Sequence, residues 1–247
     1  MRKLLVGDIH GNFKGLVMAL EDAGYEKEYD QLICIGDYVD GWSESCEVID
    51  FLIALEKQAV HKPIFIRGNH DVWCEDFLRG QVRRLWLNQG GTATRESYIR
   101  NTGHVDFDEH ERFFRRLHNY YIDEEGRAFV HGGFTSRKGI GHEPYQSNYY
   151  WDRDFWSLMH MIKQGAKPIG ANTKRYKKHK EIFIGHTSTV KYGKMKPMRI
   201  KNVWNVDTGG GYEGRLSIMD IDSKEYWQAP LSRDLYPGEM HHYKQKK

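Results

Sequence analysis

In Leu32-Ile33-Cys34-Ile35-Gly36-Asp37-Tyr38-Val39-Asp40-Gly41, four apolar residues run into a glycine and two carboxylates. The apolar run predicts a short buried strand. Gly36 allows a tight turn and a close backbone approach. Alone, a strand ending in an acidic turn is commonplace. This chain uses the device at four more places.

Working outward, Leu4-Leu5-Val6 leads into Gly7-Asp8-Ile9-His10-Gly11, and Ile64-Phe65-Ile66 into Arg67-Gly68-Asn69-His70-Asp71. Ala128-Phe129-Val130 leads into His131-Gly132-Gly133, and Ile182-Phe183-Ile184 into Gly185-His186-Thr187. Each strand delivers Asp, Asn or His at its carboxyl end, where open α/β sheets place their sites. The five tails are therefore expected to converge on one site. Asp8 and His10 stand two residues apart, so both can point to one side of an extended segment. Oxygen donors mixed with imidazole nitrogens suit Mn, Fe or Zn better than a thiolate-dependent metal.

In their order, GDIHG, GDYVDG, GNHD, HGG and GHT resemble the motifs of the calcineurin-like metallophosphoesterases. Within that family the set is most similar to the phosphoprotein-phosphatase branch, which also holds bacterial and phage Ser/Thr phosphatases and symmetrical dinucleoside tetraphosphatases. The resemblance runs from about Asp8 to about Asp207. It is specific for the superfamily, less so for the branch, and hardly at all for the substrate.

The resemblance implies an α/β fold in which a two-sheet β-sandwich is flanked by helices. It implies two divalent metal ions, Mn in the first place, with Fe or Zn as alternatives. Asp8 and His10 would ligate the first, Asp37 would bridge both, and Asn69, His131 and His186 would complete the second. Asn69 would also face the substrate phosphate. His70 and Asp40 would form the catalytic pair. Two close cations lower the pKa of a bridging water, so that hydroxide attacks phosphorus at neutral pH. His70, its pKa raised by a carboxylate, would then protonate the leaving alkoxide.

One position departs from the branch. Its GDxVDRG block carries an arginine after the second Asp, where this chain has Gly41-Trp42. Arg153, in Tyr150-Trp151-Asp152-Arg153, is the expected replacement, because a guanidinium fork matches phosphate oxygens. Arg67 is expected to be structural. Trp42 is expected either to line the substrate entrance or to cover the site's edge. Asp207, in Val206-Asp207-Thr208-Gly209, is expected to form a turn or support the ligands.

At 247 residues the chain can hold one large α/β domain, and no linker-like or low-complexity tract divides it. A single domain over 1–247 is expected, with a loosely ordered tail after about residue 231. Helices are expected after the first strand (Phe13, Leu16, Val17, Leu20 and Ala23 on one face), from Ser43 or Ser45 to about Ala59, in two short pieces around 72–79 and 81–88, and from Asp108. Asp123-Glu124-Glu125-Gly126 marks a hairpin. Later strands are expected over 199–206 and 215–221, separated by Gly209-Gly210-Gly211, with 225–227 pairing back.

Lys+Arg 37 against Asp+Glu 34 leaves +3, too small an excess to argue for nucleic acid. In the basic run Lys174-Arg175-Tyr176-Lys177-Lys178-His179-Lys180, Lys180 lies roughly 20 Å from His186 along an extended strand, and the run is expected to be a solvated face. The aromatic residues Tyr149, Tyr150, Trp151, Phe155 and Trp156 are expected in core and pocket wall. Three cysteines without paired spacing fit a reduced, cytoplasmic context, and no run approaches a membrane span or a signal segment.

The leading expectation is a binuclear-metal Ser/Thr-type protein phosphatase acting on phosphorylated protein or a small phosphoester. The alternatives are a dinucleoside polyphosphate hydrolase and, from another class, an inactive phosphate-binding interaction module.

Overall fold

β1 (Arg2–Val6) pairs in parallel with β2 (Asp30–Cys34), which pairs in parallel with β3 (Ile64–Phe65). The connections are α1 (Phe13–Asp22) and α2 (Ser45–Gln58). Asn12 caps α1 by accepting from the Gly15 amide at 2.9 Å. The chain is seen here in a computed structural model describing residues 1–166 and 171–239, with the backbone alone for 171–174.

After β3 come α3 (Asn69–Leu78), α4 (Arg84–Trp86), a π turn over Leu87–Gly91, α5 (Thr92–Arg100) and α6 (Phe107–Arg115). The second sheet opens with the hairpin β4 (Tyr121–Ile122) and β5 (Ala128–Phe129), as the Asp123–Gly126 turn predicts. α7 (Asn148–Trp151) and α8 (Asp154–Lys163) precede β6 (Ile182–Ile184). Then follow β7 (Met198–Ile200), β8 (Val203–Asn205), β9 (Ser217–Asp220), β10 (Tyr226–Gln228) and α9 (Ser232–Leu235).

The two sheets run β10-β9-β1-β2-β3 and β4-β5-β6-β8-β7. This is the expected helix-flanked sandwich. Leu5, Ile33, Ile66, Phe129, Phe183 and Met219 fill the layer between the sheets. The alternate residues Leu4, Val6, Leu32 and Cys34 pack instead with the α1 and α2 side chains. Strands buried on both faces read as unbroken apolar runs, which is why the strand tails stood out. Phe129 and Phe183 stack at 5.0 Å in the middle of the sandwich.

Two expectations change, and one helix, α5, is new. The strand expected over 199–206 is a hairpin, turned at Lys201 with φ +57°. α5 has no apolar stripe to betray it: its buried face is Ala93, Thr94, Ser97 and Tyr98. The segment after Leu231 is not loose as far as Glu239. It forms α9, buries Tyr236, and bonds Glu239 to Ser43 at 2.6 Å, while residues 240–247 lie outside the described ones. No described helix is long and apolar enough to cross a membrane.

Candidate metal centre

The parallel strands β1, β2, β3, β5 and β6 all deliver their carboxyl ends to one rim of the sandwich. Asp8, His10, Asp37, Asp40, Asn69, His70, His131 and His186 gather there, each no more than 6 % exposed. Four of the six non-glycine residues with left-handed φ in the described chain belong to this set: His10, Asp37, Asp40 and His186. Such conformations cost about 1–3 kcal/mol each and concentrate where a site is imposed on the backbone. The Ile9 and His10 amides both donate to the Asp37 carbonyl, at 3.0 and 2.9 Å, and tie the first two tails together.

Two glycines make room for carboxylates. A Cβ on Gly68 would lie 2.1 Å from Asp37 Oδ1, and one on Gly185 would lie 2.1 Å from Asp8 Oδ1. Any larger residue would displace a carboxylate oxygen.

Asp37 stands at the centre. Its Oδ2 is 3.6 Å from His10 Nε2 and 3.1 Å from His131 Nε2. It belongs to two groups whose ligand atoms lie within 4.8 Å of one another, His10/Asp37/His70 and Asp37/His131/His186. His10 Nδ1 contacts the Asp40 carbonyl at 3.1 Å, and His131 Nδ1 the Ile35 carbonyl at 3.0 Å. A carbonyl accepts only, so both Nδ1 atoms carry a proton, and Nε2, on the Asp37 side, is the atom each ring could offer to a metal.

The donor set fits divalent cations on a second ground. Asp8 Oδ1, Asn69 Oδ1, His131 Nε2 and both ring nitrogens of His186 are buried without a hydrogen-bond partner. Orphaned polar atoms cost about 1–3 kcal/mol each. Five of them aimed into one acidic, imidazole-lined space are explained by metal ligation.

The electrostatics agree. Burial pushes His10 down to about 3 and lowers His186 well below its usual range, keeping both neutral. Burial and Asp207 hold Asp8 well above the carboxylate range, and Asp207 itself is pushed up to about 6 by burial. Against its own burial, the neighbouring imidazoles His131 and His70 keep Asp37 well below that range. His131, although buried, is raised to about 9 by Asp37 and Asp8. Asp8 and Asp207 are buried carboxylates to which divalent ions would supply counter-charge.

His70 sits at the start of α3, and its Nδ1 lies 2.7 Å from Asp40 Oδ2. Burial acts to lower the His70 pKa, but Asp37 and the Asp40 hydrogen bond hold it above the usual value. Its other nitrogen is left for the His10–Asp37 side. Arg153, at the head of α8, donates from Nη1 to the His186 carbonyl at 2.7 Å. This places an exposed cation against the backbone of the His186 loop. Lys191 lies close enough for Arg153, after burial, to lower its pKa.

Other expectations are redirected. Trp42 is 2 % exposed, donates from Nε1 to the Gly210 carbonyl at 2.8 Å, and stacks on Tyr236 at 5.1 Å. It lines no entrance. The accessible ring beside the site is Trp151, 39 % exposed, 6.3 Å from the His186 ring and 5.0 Å from Trp73. Arg67 is structural as expected, bonding Glu75 at 2.9 Å and the Phe114 carbonyl at 2.7 Å. In the basic run, Lys177, Lys178 and Lys180 are exposed, but Arg175 turns inward, 3.6 Å from Asp152 and over the Phe155 ring.

Sequence reasoning missed Asp71. Its carboxylate accepts from the amides of Asp37, Tyr38 and Gly68, at 2.9, 2.9 and 2.7 Å, and so holds the central tail in place. Its position next to Asn69-His70 was the available signal. Tyr212, 5.7 Å from the His10 ring, gave none.

Similarity to known proteins follows these lines. The profile of the calcineurin-like phosphoesterases matches residues 1–208. The chain is 26 % identical to serine/threonine-protein phosphatase 1 of Salmonella typhimurium, covering 88 % of this chain and 90 % of that one. It is 25 % identical to an asymmetrical bis(5'-nucleosyl)-tetraphosphatase of Anoxybacillus flavithermus, covering 92 % and 93 %. Its fold superposes on a serine/threonine phosphatase from Saccharomyces cerevisiae with a TM-score of 0.64 at 17 % identity, over 93 % of this chain and 80 % of the other. A match over most of the chain, on a rim that gathers the family's donors, decides the matter: this chain belongs to the calcineurin-like phosphoesterases, which use divalent metals.

Proposed function

We propose that the chain is a two-metal phosphomonoesterase acting on phosphoserine or phosphothreonine in proteins, with Mn as its working metal. The observation that carries this reading is Asp37, shared between the buried groups His10/Asp37/His70 and Asp37/His131/His186, with His70 also bonded through Nδ1 to Asp40. Asp8, His10, Asp37, Asn69, His131 and His186 hold the metals. When bound, two divalent ions supply positive charge to the phosphoryl oxygens and a nucleophilic water at neutral pH.

The chain's own residues do the rest. Arg153 fixes the phosphate through its fork, and Asn69 adds a contact from the first turn of α3. His70 gives its proton to the leaving alkoxide, and Asp40 holds the ring in the orientation that keeps the proton on the useful nitrogen. An inactive binding module would have no use for that pair, and its ligand set would be free to erode. The three buried, unpaired thiols Cys34, Cys46 and Cys74 suit a reducing compartment such as the cytoplasm.

A second reading, hydrolysis of a dinucleoside polyphosphate, is favoured by one observation. Trp151 offers an exposed flat ring beside His186, where a base could stack. The deciding experiment compares phosphate release from phosphoserine and phosphothreonine peptides with nucleotide release from diadenosine tetraphosphate, using Mn-loaded protein. A higher kcat/KM on the peptides is the expected result. A higher value on the dinucleotide moves the chain to the second reading.

A further inference from the structure

The Asp40 carboxylate is held by more than His70. Trp86, fully buried at the end of α4, donates from Nε1 to Asp40 Oδ2 at 2.8 Å. Thr94, buried in α5, donates from Oγ1 to Asp40 Oδ1 at 2.6 Å. Both carboxylate oxygens are thereby engaged, and His70 Nδ1 takes the remaining direction on Oδ2.

The backbone is fixed by the same group. The Asp40 amide donates to Thr94 Oγ1 at 2.9 Å and to Ser45 Oγ at 3.2 Å, and the two hydroxyls are 2.9 Å apart. A threonine hydroxyl has one proton, and here it goes to Asp40 Oδ1. Ser45 must therefore donate to Thr94. The hydrogen-bond directions are settled around the whole ring. They hold Asp40 at φ +71°, a conformation that a free aspartate seldom keeps.

The segment between Trp86 and Thr94 is shaped to reach this point. Gly90, at φ +99°, lies so close that a Cβ would meet the Gly41 nitrogen at 2.8 Å and Asp40 at 3.3 Å. A Cβ on Gly91 would enter the Trp86 indole at 2.3 Å. The kink between α4 and α5, with Gln89 and Gly90 outside helical φ/ψ, brings the indole and the hydroxyl to the two oxygens of one carboxylate.

We propose that Trp86 and Thr94, with Ser45 behind them, are positioning residues for proton donation: they lock the Asp40 carboxylate so that it orients His70 toward the leaving group. The inference rests on the reading of His70 as general acid. Donors on both oxygens leave the carboxylate one rotamer, and the imidazole inherits that orientation. Neither residue touches substrate or metal ligands directly. Their loss should reach only the step in which the leaving oxygen takes its proton.

The test is a series of phosphomonoesters running from activated aryl to alkyl leaving groups, assayed with the full-length Mn-loaded protein. The variants are Trp86→Phe and Thr94→Val, which keep bulk and remove the donors. Expected is a loss of about 10–100-fold in kcat for the alkyl ester and under about 3-fold for the most activated aryl ester, part of the contribution a general acid makes. KM and bound metal should stay unchanged. Thr94→Ser, which keeps the hydroxyl, should recover most of the rate lost in Thr94→Val. In an Asp40→Asn background neither substitution should add a further loss, because their partner is gone.

An equal loss across all esters, or none, overturns the inference, provided His70→Asn itself steepens the leaving-group dependence. If His70→Asn does not steepen it, the general-acid reading fails and takes the inference with it. Should Trp86→Phe not fold, the Thr94→Val and Thr94→Ser pair decides alone.

Discussion

The Arg153 guanidinium donates to the carbonyl oxygen of His186 across 2.7 Å, so the cation is tied to the backbone of a ligand-bearing loop. Thr187 Oγ1 accepts from the same nitrogen at 3.3 Å. One edge of the fork is fixed by the protein. In the proposed function the rest of the guanidinium goes to the substrate phosphate, in place of the arginine absent at Gly41-Trp42.

Arg153→Ala should therefore raise KM for every phosphoester by about 10–100-fold, the worth of a charge-assisted contact of roughly 1.5–3 kcal/mol. Metal content should not change. Arg153→Lys should recover only part of the loss, because an ammonium lacks the fork. Steady-state kinetics beside metal analysis checks this, and an unchanged KM in Arg153→Ala removes Arg153 from the phosphate site.

Trp151 separates the two substrate readings. If a base stacks on it, Trp151→Ala should weaken a dinucleoside polyphosphate by about 1–3 kcal/mol, roughly 5–150-fold in KM, while changing phosphoserine peptides little. The same loss on both substrates would mean that the ring only braces Trp73 and His186. Paired KM values on the two substrates provide the measurement.

Asp37→Asn removes the one carboxylate common to both ligand groups. Metal retention and activity should fall together. For the unchanged protein, a metal at 100 times its dissociation constant adds about 2.7 kcal/mol to stability. Chelation should then lower Tm by about 5–10 °C for a chain of this size. Asp37→Asn should start near the lower value and respond little to chelator. Calorimetry with and without chelator decides it.

Much of this site was legible in the sequence because each part is local. An apolar run, a donor and at least one glycine fall within ten residues at each ligand tail. What stayed hidden depends on contacts between distant segments. Trp86 and Thr94 stand 46 and 54 residues from Asp40, with nothing in the intervening pattern to link them. Helix α5 buries small and polar residues, so its periodicity carries no apolar signal. For Trp42 the sequence left open an entrance wall or a cover at the site's edge, and only the distant Tyr236, stacked on it at an interplanar angle of 18°, decides against the entrance. The strand tails announce the ligands; the groups that hold them steady come from elsewhere in the chain.

That stacked pair predicts its own cost. Tyr236 is 2 % exposed, accepts from the Lys14 amide at 3.1 Å, and donates to Glu44. Tyr236→Ala should destabilise the protein by about 3 kcal/mol through lost packing and the cavity left behind. Tyr236→Phe keeps the ring and should cost only about 1 kcal/mol for the hydroxyl's bonds. Urea unfolding of both variants tests the order. Equal and negligible costs would show that residues 231–239 do not contribute to the fold.

The far end of the sandwich contributes to the response to acid. Asp123 accepts from Arg127 Nε at 2.7 Å and from Lys3 Nζ at 3.3 Å, with all three side chains nearly inaccessible. Burial alone would raise the Asp123 carboxyl, but the hydrogen bonds and charge of Arg127 carry it below its usual value. A carboxyl whose folded pKa is depressed stabilises the fold above its unfolded value of about 4, and that stability is lost as pH falls through the lower folded value. The protein should accordingly lose stability below about pH 4. Asp123→Asn removes that acid-dependent component but leaves Lys3 paired with Glu124 and Arg127 with Glu125 and Asp222, so it should cost about 1.5–3 kcal/mol at neutral pH, the worth of hydrogen bonds to a charged group. Unfolding free energies of the two proteins, measured from pH 7 down to pH 3, should approach each other as the pH drops. A constant gap would mean that the pair's charge contributes nothing and that the loss in Asp123→Asn comes from packing alone.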